Sequence, residues 1–179
     1  PLFLSLGILF FIKSFKNANY LIVSALSFAL SLHTYQAARV FVSLFVLGLA
    51  ILYRQHLWKY KKESLIATVV FLIIFIPLFS FWISPEGMAR AKSARVKTEL
   101  ITIFQSYLSY FNPVFLFFKG DPILRHSPSK LGELYYFEII SVAVGLFYIC
   151  REKFQGKSIL FLWLALYPIP AALTSPEHA

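Results

Sequence analysis

The stretch SLIATVVFLIIFIPLFSFWI, residues 64–83, decides the fold because it contains no charged side chain. A helix needs about 20 mostly apolar residues to cross the hydrocarbon layer of a bilayer, and this stretch has that length. Pro77 lies within it, but transmembrane helices tolerate proline because neighbouring helices or Ser side chains satisfy the freed carbonyl. We therefore predict a transmembrane helix with a kink at Pro77.

The composition of the whole chain is also that of a membrane protein. Of its 179 residues, 59% are hydrophobic and 14% are charged, and the mean hydropathy is +0.71. A soluble domain of this length needs a larger charged surface. The net charge of +9 would suit nucleic acid, but Lys and Arg also collect at the cytoplasmic ends of membrane helices and against anionic head groups. We therefore predict membrane lipid, and no nucleic acid, as a partner.

Other apolar windows lie on both sides of residues 64–83. They cover about 1–12, 18–33, 36–53, 131–150 and 157–173. The first window lacks the charged start and the cleavage site of a signal peptide, so we interpret it as a truncated membrane helix in a piece of a longer protein. The fold prediction is all-α: residues 1–179 form part of one polytopic transmembrane helix bundle with about six spans.

Basic residues occupy alternate joints between these windows and so predict an orientation. They are Lys13 and Lys16 in one joint, Arg54, Lys59, Lys61 and Lys62 in the next, and Arg151, Lys153 and Lys157 in the last. The positive-inside rule places all three joints in the cytoplasm. The bend at 31–38, the segment 84–130 and the end at His178 then face outward. We predict a multi-pass cell-membrane protein whose polar clusters share the extracytoplasmic face.

The extracytoplasmic loop predicted for residues 84–130 is too long to lack structure of its own in a compact bundle. Part of it has apolar residues at helical spacing behind a basic start, which is typical of a helix lying on a membrane surface. The stripe is Val96, Leu100, Ile103, Phe104, Tyr107, Leu108 and Phe111, and the basic start is Arg90, Lys92, Arg95 and Lys97. Asn112-Pro113 ends this helix.

The sequence HTYQAAR, residues 33–39, places polar groups at the outer ends of two predicted spans. Tyr35 and Arg39 are four residues apart and share a face of a helix. A guanidinium and a phenolic hydroxyl at that depth would hold a phosphate. The alternative is that Arg39 extends to the interface and Tyr35 belongs to an aromatic belt, which the composition alone favours.

A second polar cluster follows the aromatic run FLFF at 115–118. It comprises Lys119, Asp121, Arg125, His126 and Lys130. This cluster would suit a sugar or phosphate pocket, although Gly120-Asp121-Pro122 is also a strong signal for a simple turn.

Glu138, deeper in the next predicted span, is a candidate for an internal ion pair or for a neutral, interface-directed carboxyl. No metal site of standard spacing is present.

Three stretches together resemble one family. They are LHTYQAARV at 32–40, YLSYFNPVFLFFKGDPILRHSPSKLGELYYFE at 107–138, and YPIPAALTSPEHA at 167–179. They resemble the bacterial protein-mannosyltransferase-like and aminoarabinose-transferase-like enzymes of the GT-C superfamily of membrane glycosyltransferases. The resemblance implies an enzyme that moves a sugar from a polyprenyl-phosphate carrier to an acceptor protein, lipid or glycan on the extracytoplasmic side.

The resemblance also implies roles for particular residues. Arg39, Tyr35 and His178 would hold the lipid phosphate. Four further residues would shape the sugar or acceptor side of the site, or would hold the outer loop against the bundle. They are Lys119, Asp121, Arg125 and His126. The catalytic acidic residue is expected in an outer loop upstream of Pro1, so this chain alone is expected to be inactive. The lipid-linked sugar is the donor, and the sequence leaves the requirement for a divalent metal open.

Two readings from other classes remain open. Several spans with an outward polar cluster also describe a transporter or channel subunit, although transporters place ionisable groups near the middle of the membrane. The spans predicted here are nearly free of charge, and the charged groups lie at their outer ends. A non-catalytic membrane scaffold is the third reading.

The predicted orientation has a direct test in Cys150-free protein. Single cysteines introduced by Tyr35→Cys, His126→Cys and His178→Cys are expected to react with a membrane-impermeant maleimide from outside intact cells. Lys16→Cys is expected to react only after the membrane is opened, because it lies in a basic joint. Labelling of the first three positions from opposite sides of the membrane would contradict the predicted orientation.

Overall fold

The structure is a computed structural model that describes residues 1–87, 89, 99–120, 132–152, 154 and 156–174. Within these ranges the chain forms helices and no strand, which confirms the all-α prediction. It divides into two compact units, the first made of 1–93 with 158–170 and the second of 94–157 with 171–179. The assignment of 1–179 to one transmembrane domain stays a prediction.

Nine α-helices and one π-helix are described in these ranges. The α-helices are α1 (Leu2–Ser14), α2 (Tyr20–Ser31), α3 (Gln36–Leu52), α4 (Arg54–Lys59), α5 (Lys61–Trp82), α6 (Leu100–Ser109), α7 (Glu138–Arg151), α8 (Lys157–Leu166) and α9 (Ile169–Leu173), and the π-helix is Val114–Lys119. Among the described residues, α5 alone is both long and apolar enough to cross a membrane. The multi-pass arrangement therefore stays a prediction.

Helix α5 follows from the charge-free stretch at 64–83. It has 22 residues with a mean hydropathy of 2.6, and it ends at Trp82, shortly before Pro85, which disfavours helix at the preceding residue. The helix continues through Pro77, and the Ser80 hydroxyl donates a hydrogen bond to the Ile76 carbonyl at 3.0 Å. Leu65 and Ile73 remain 67% and 65% exposed, so α5 presents a broad apolar surface.

Helices α1 and α2 form a close antiparallel pair at Gly7. A Cβ atom at this position would lie 2.6 Å from the Phe28 ring, so only glycine allows this approach. The Ser24 hydroxyl donates to the Gly7 carbonyl at 2.7 Å and links the two helices. Helix α2 also packs against α5.

Helix α8 lies along α3 and runs antiparallel to it. The Trp163 ring lies 5.4 Å from the Phe41 ring and 5.9 Å from the Phe45 ring. Leu162 packs on Gly48, where a Cβ atom would lie 2.6 Å from the nearest leucine methyl group. Phe45 is fully buried and forms the centre of this contact.

Two predicted spans differ from the observed helices. Helix α7 begins at Glu138, so this residue is the first of its helix and does not lie a turn inside a span. Its carboxylate accepts a hydrogen bond from the Tyr135 N–H at 2.7 Å, and a negative charge is favourable at a helix N-terminus. The expected internal position of Glu138 was therefore wrong. The predicted span at 157–173 is interrupted between Leu166 and Ile169.

A helix, α6, is observed within the segment 84–130, where the sequence predicted one. Leu100, Phe104 and Leu108 are spaced four residues apart and are 84%, 59% and 50% exposed. The predicted stripe thus includes an exposed apolar row on a helix. Val96 and the basic residues Arg90, Lys92, Arg95 and Lys97 lie outside the described residues. The location of α6 on a membrane surface stays a prediction.

Helix α4 was not predicted, and a histidine joins it to α1. His56 Nε2 lies 3.0 Å from the Ser14 Oγ, which donates onward to the Phe11 carbonyl at 2.6 Å. The His56 ring also packs against Phe15 at 4.3 Å. Burial, and then the positive charge of Lys59, lower the pKa of His56 from its ordinary value of 6.5. The neutral imidazole therefore fits this contact best.

This pKa shift predicts how stability depends on pH. Above pH 6.5 the imidazole is neutral in both states, and the contact contributes fully. As the pH falls through 6.5 towards the lower pKa of the folded state, the unfolded chain binds the proton first and stability decreases. Thermal unfolding in detergent between about pH 8 and about pH 5 is expected to show this decrease, and His56→Gln is expected to remove it. An equal decrease in both proteins would contradict the assignment to His56.

Candidate anion-binding site

Three buried polar atoms without a hydrogen-bond partner define the candidate site. Among the described residues, they are Arg39 Nε, Ser43 Oγ and Trp82 Nε1. Arg39 lies in the first turn of α3, Ser43 follows one turn later, and Trp82 is the last residue of α5. All three belong to the first compact unit.

The arginine and the tryptophan are in direct contact. The Arg39 guanidinium carbon lies 5.7 Å from the centroid of the Trp82 ring, which is within the range of a cation–π interaction. Ser43 is four residues after Arg39, so the two side chains share a face of α3. Arg39 and Trp82 therefore lie together at one end of helices α3 and α5, and Ser43 lies one turn further into α3.

Buried polar atoms without a protein partner are uncommon, because they lose hydration without gaining a hydrogen bond. A buried polar group without a partner destabilises a fold by about 1–3 kcal/mol, and by more when it carries charge. The cation–π contact stabilises the guanidinium but gives neither N–H group an acceptor. Arg39 Nε and Trp82 Nε1, with Ser43 Oγ one turn away along α3, are therefore candidate donors to an acceptor outside the protein.

The chemistry of the three groups indicates what kind of acceptor fits. The Nε–H of arginine and the Nε1–H of tryptophan only donate hydrogen bonds, and the serine hydroxyl donates when an acceptor is present. An oxygen-rich anion satisfies all of them, and the positive charge of Arg39 adds to the attraction. A phosphate or phosphate ester has the required oxygens and charge.

Tyr35 stands apart from these three groups. It precedes α3 with extended backbone angles of −157° and 149°, and its side chain is 71% exposed. It makes no hydrogen bond to Arg39. Its assignment to the lipid phosphate stays a prediction.

The remaining predicted residues lie elsewhere in the chain. Lys119 is the last residue of the π-helix and belongs to the second compact unit. Asp121, Arg125, His126 and His178 lie outside the described residues. Their assignments stay predictions.

The segments on either side of residues 121–131 contact each other in the second unit. The Leu134 N–H donates to the Leu116 carbonyl at 2.7 Å, and the Phe118 and Tyr136 rings lie 5.4 Å apart. Gly120 has φ 64° and ψ −162°, a combination that is essentially restricted to glycine. Gly120, the glycine of the Gly-Asp-Pro sequence, therefore ends the π-helix by adopting a backbone conformation that other residues rarely adopt.

Ser43 and Trp82 were missed in the sequence analysis. The sequence could have indicated Ser43, because it lies four residues after Arg39 and therefore on the same helix face. The sequence indicates Trp82 less clearly, because its contact with Arg39 depends on how α3 and α5 pack. No group of three or more His, Cys, Asp or Glu side chains suited to a metal ion occurs in the described part of the chain.

Comparison of the chain with protein-family models, with curated protein sequences and with solved structures finds no match in any of the three.

Two serines of the first unit provide a matched test of the site. Ser43→Ala is expected to leave the thermal stability of the unliganded protein unchanged or slightly higher, because its hydroxyl has no partner to lose. Ser24→Ala removes the buried hydrogen bond to the Gly7 carbonyl and is expected to cost about 1 kcal/mol. Thermal unfolding in the same detergent gives both values. A larger loss for Ser43→Ala than for Ser24→Ala would show that the Ser43 hydroxyl has a structural partner.

Proposed function

We propose that this chain is part of an integral membrane glycosyltransferase. The enzyme moves a sugar from a polyprenyl-phosphate carrier to an acceptor on the extracytoplasmic side of the membrane. The observation that carries the proposal is the set of unpartnered donors on Arg39, Ser43 and Trp82. The resemblance of the three sequence stretches to GT-C enzymes supports the same class.

The position of the donors suits a phosphate carried by a membrane lipid. They lie at the end of α5 opposite to Lys61, and α5 is the helix that is long and apolar enough to cross a bilayer. A polyprenyl phosphate places its anionic head at the end of such a helix while its chain remains in hydrocarbon. Arg39 and Trp82 would receive that head group.

The reaction explains why donors are required at this point. The bond between the anomeric carbon and the phosphate oxygen breaks, and the acceptor oxygen forms the new bond to that carbon. A general base accepts the acceptor proton. The departing phosphate gains negative charge, so preorganised donors beside it stabilise the transition state more than the ground state. Arg39 has the principal role because it is the group with a full positive charge.

A transporter or channel subunit is the second candidate. Arg39 is the observation that favours it, because a partly buried cation beside apolar helices also occurs along substrate pathways. The two functions differ in their product. A transferase releases free polyprenyl phosphate, whereas a transporter moves its substrate without breaking the glycosyl bond.

Release of polyprenyl phosphate from extracted lipid-linked sugars therefore tests the proposal, in membranes that contain the full-length protein. Arg39→Ala is expected to lower this release by about 100-fold or more, because it removes the charge that stabilises the leaving group. Arg39→Lys is expected to retain part of the activity, since lysine keeps the charge but loses the planar fork. Trp82→Phe keeps the ring over the guanidinium and loses one donor, which is expected to cost about tenfold.

Arg151→Ala is the matched control for these variants. Its guanidinium also lies over an aromatic ring, 6.0 Å from the centroid of Phe147, but it lies in a predicted cytoplasmic joint. Its turnover is expected to equal that of the unmodified protein. Normal release by a correctly inserted Arg39→Ala protein would exclude Arg39 from the mechanism, and transport without release would favour the second candidate.

A further inference from the structure

A cavity of about 250 Å³ opens among helices α1 to α5 in the first unit. Its lining comes from all five helices and includes Phe11, Leu21, Phe28, Leu49, Leu57 and Phe71. The α5 part of the lining belongs to the half of the helix that begins at Lys61, whereas Trp82 is at the other end. The cavity is therefore separate from the anion-binding site.

The polar atoms in the lining are already engaged within the protein. The Ser24 hydroxyl donates to the Gly7 carbonyl at 2.7 Å, the Ser64 hydroxyl to the Leu57 carbonyl at 3.0 Å, and the Thr68 hydroxyl to the Ser64 carbonyl at 2.8 Å. Every other lining side chain is apolar. A sugar, a phosphate or a water cluster would find no free donor here, so the cavity is suited to hydrocarbon.

The volume limits how much hydrocarbon enters. An apolar cavity of about 150 Å³ binds benzene, and pockets for drug-sized ligands begin at about 300 Å³. A cavity of about 250 Å³ lies between these sizes. It accepts part of one acyl chain and excludes a whole lipid, so the remainder of the lipid must lie outside it.

Two cations adjoin the lining residues on α4 and α5. Arg54 is three residues before Leu57, and Lys61 is three residues before Ser64, so each lies on the same helix face as a lining residue. Neither forms an ion pair with a carboxylate in the part of the chain that the structure describes. Arg54, Lys61 and Lys62 outnumber Glu63 beside these lining residues, so the rim of the cavity carries a net positive charge.

The neighbouring residues have the character of a membrane interface. Lys61 Nζ lies 5.0 Å from the centroid of the Trp58 ring, and Trp58 is 68% exposed. Tryptophan is enriched at the level of lipid head groups. Lys61 and Lys62 begin α5, and Glu63 supplies one negative charge in the same turn, so the start of the helix keeps a net positive charge. The helix dipole also favours an anion at this end.

We propose that this cavity and its basic rim bind one anionic phospholipid. One acyl chain occupies the cavity, and the phosphate lies beside Arg54 and Lys61. The charge of the rim selects a lipid with a net negative head group over a zwitterionic lipid with the same chains. This site does not depend on glycosyl transfer, because its ligand and its position differ from those of the Arg39 site.

Native mass spectrometry of the full-length protein in detergent measures lipid binding directly. The probes are phosphatidylglycerol, phosphatidylcholine with identical acyl chains, and glycerol phosphate as a head group without chains. Phosphatidylglycerol is expected to bind about tenfold more tightly than phosphatidylcholine, because its head group has a net negative charge, whereas the rim cations repel the quaternary ammonium of phosphatidylcholine. Glycerol phosphate is expected not to bind. Equal binding of the two lipids, or binding of glycerol phosphate comparable to that of the lipid, would overturn the proposal.

Filling the cavity separates the role of the acyl chain from that of the charge. Ala67 is buried in the lining, and Ala67→Phe is expected to reduce phosphatidylglycerol binding by about tenfold. Ala25→Leu, a smaller change in the same lining, is the second variant in case Ala67→Phe does not fold. Val69→Phe adds similar bulk at an exposed position of α5 and is expected to bind as the unmodified protein does. Unchanged binding in the folded cavity variants would overturn the proposal.

Removing the rim charges tests the head-group contact. Arg54→Gln combined with Lys61→Gln is expected to make the affinities for phosphatidylglycerol and phosphatidylcholine nearly equal. Lys16→Gln removes a charge from another basic joint and is expected to leave the preference intact. A preference that persists in the double variant would show that the rim does not select the lipid. Glycosyl transfer is not the readout, so its absence would leave this result unaffected.

Discussion

The structure depends on one constraint: a polar side chain among apolar helices must find its partner inside the protein. The buried serines Ser14, Ser24, Ser27 and Ser31 meet this constraint by donating to carbonyl oxygens at 2.6–2.8 Å. Three of these bonds stay within one helix, whereas Ser24 joins two helices. Serine can therefore occupy the core of this unit without an unsatisfied donor. Against that background, the atoms of Arg39, Ser43 and Trp82 that lack a protein partner are an exception among the described residues.

The two ends of the first unit differ in whether their polar side chains have partners inside the protein. Around the apolar cavity, every lining hydroxyl is bonded internally and the cations lie outside, which suits a chain with a charged head. At the other end, the donors are buried and unbonded beside an aromatic ring, which suits a compact anion. The same helices α3 and α5 contribute to both places. Different chemistry therefore arises from where the hydroxyls and cations lie along each helix.

The helical fold was predictable from periodicity and charge, because apolar runs such as 64–83 have no alternative way to satisfy their backbone in an apolar environment. The position of Arg39 near the start of a helix was predictable because the apolar window at 36–53 begins three residues before it. The contact of Arg39 with Trp82 was not, since it joins residues far apart in sequence and depends on the packing of α3 against its neighbours. The start of α7 at Glu138 was missed because the apolar and aromatic residues before it resemble the continuation of a span.

The burial of Arg39 Nε also bears on the choice between the two readings of this residue. An arginine that only extends to the interface keeps its apolar stem along the protein and its guanidinium in water. Here one guanidinium nitrogen is withdrawn from solvent without an acceptor, and the group rests over the Trp82 ring. In this position the buried guanidinium nitrogen is not hydrated, and the contact with the Trp82 ring fixes the orientation of the group. Fixed donors stabilise a developing charge better than mobile ones, because they need no reorganisation when the charge appears. The geometry therefore favours a residue held in place for a ligand over one that anchors a helix at the interface.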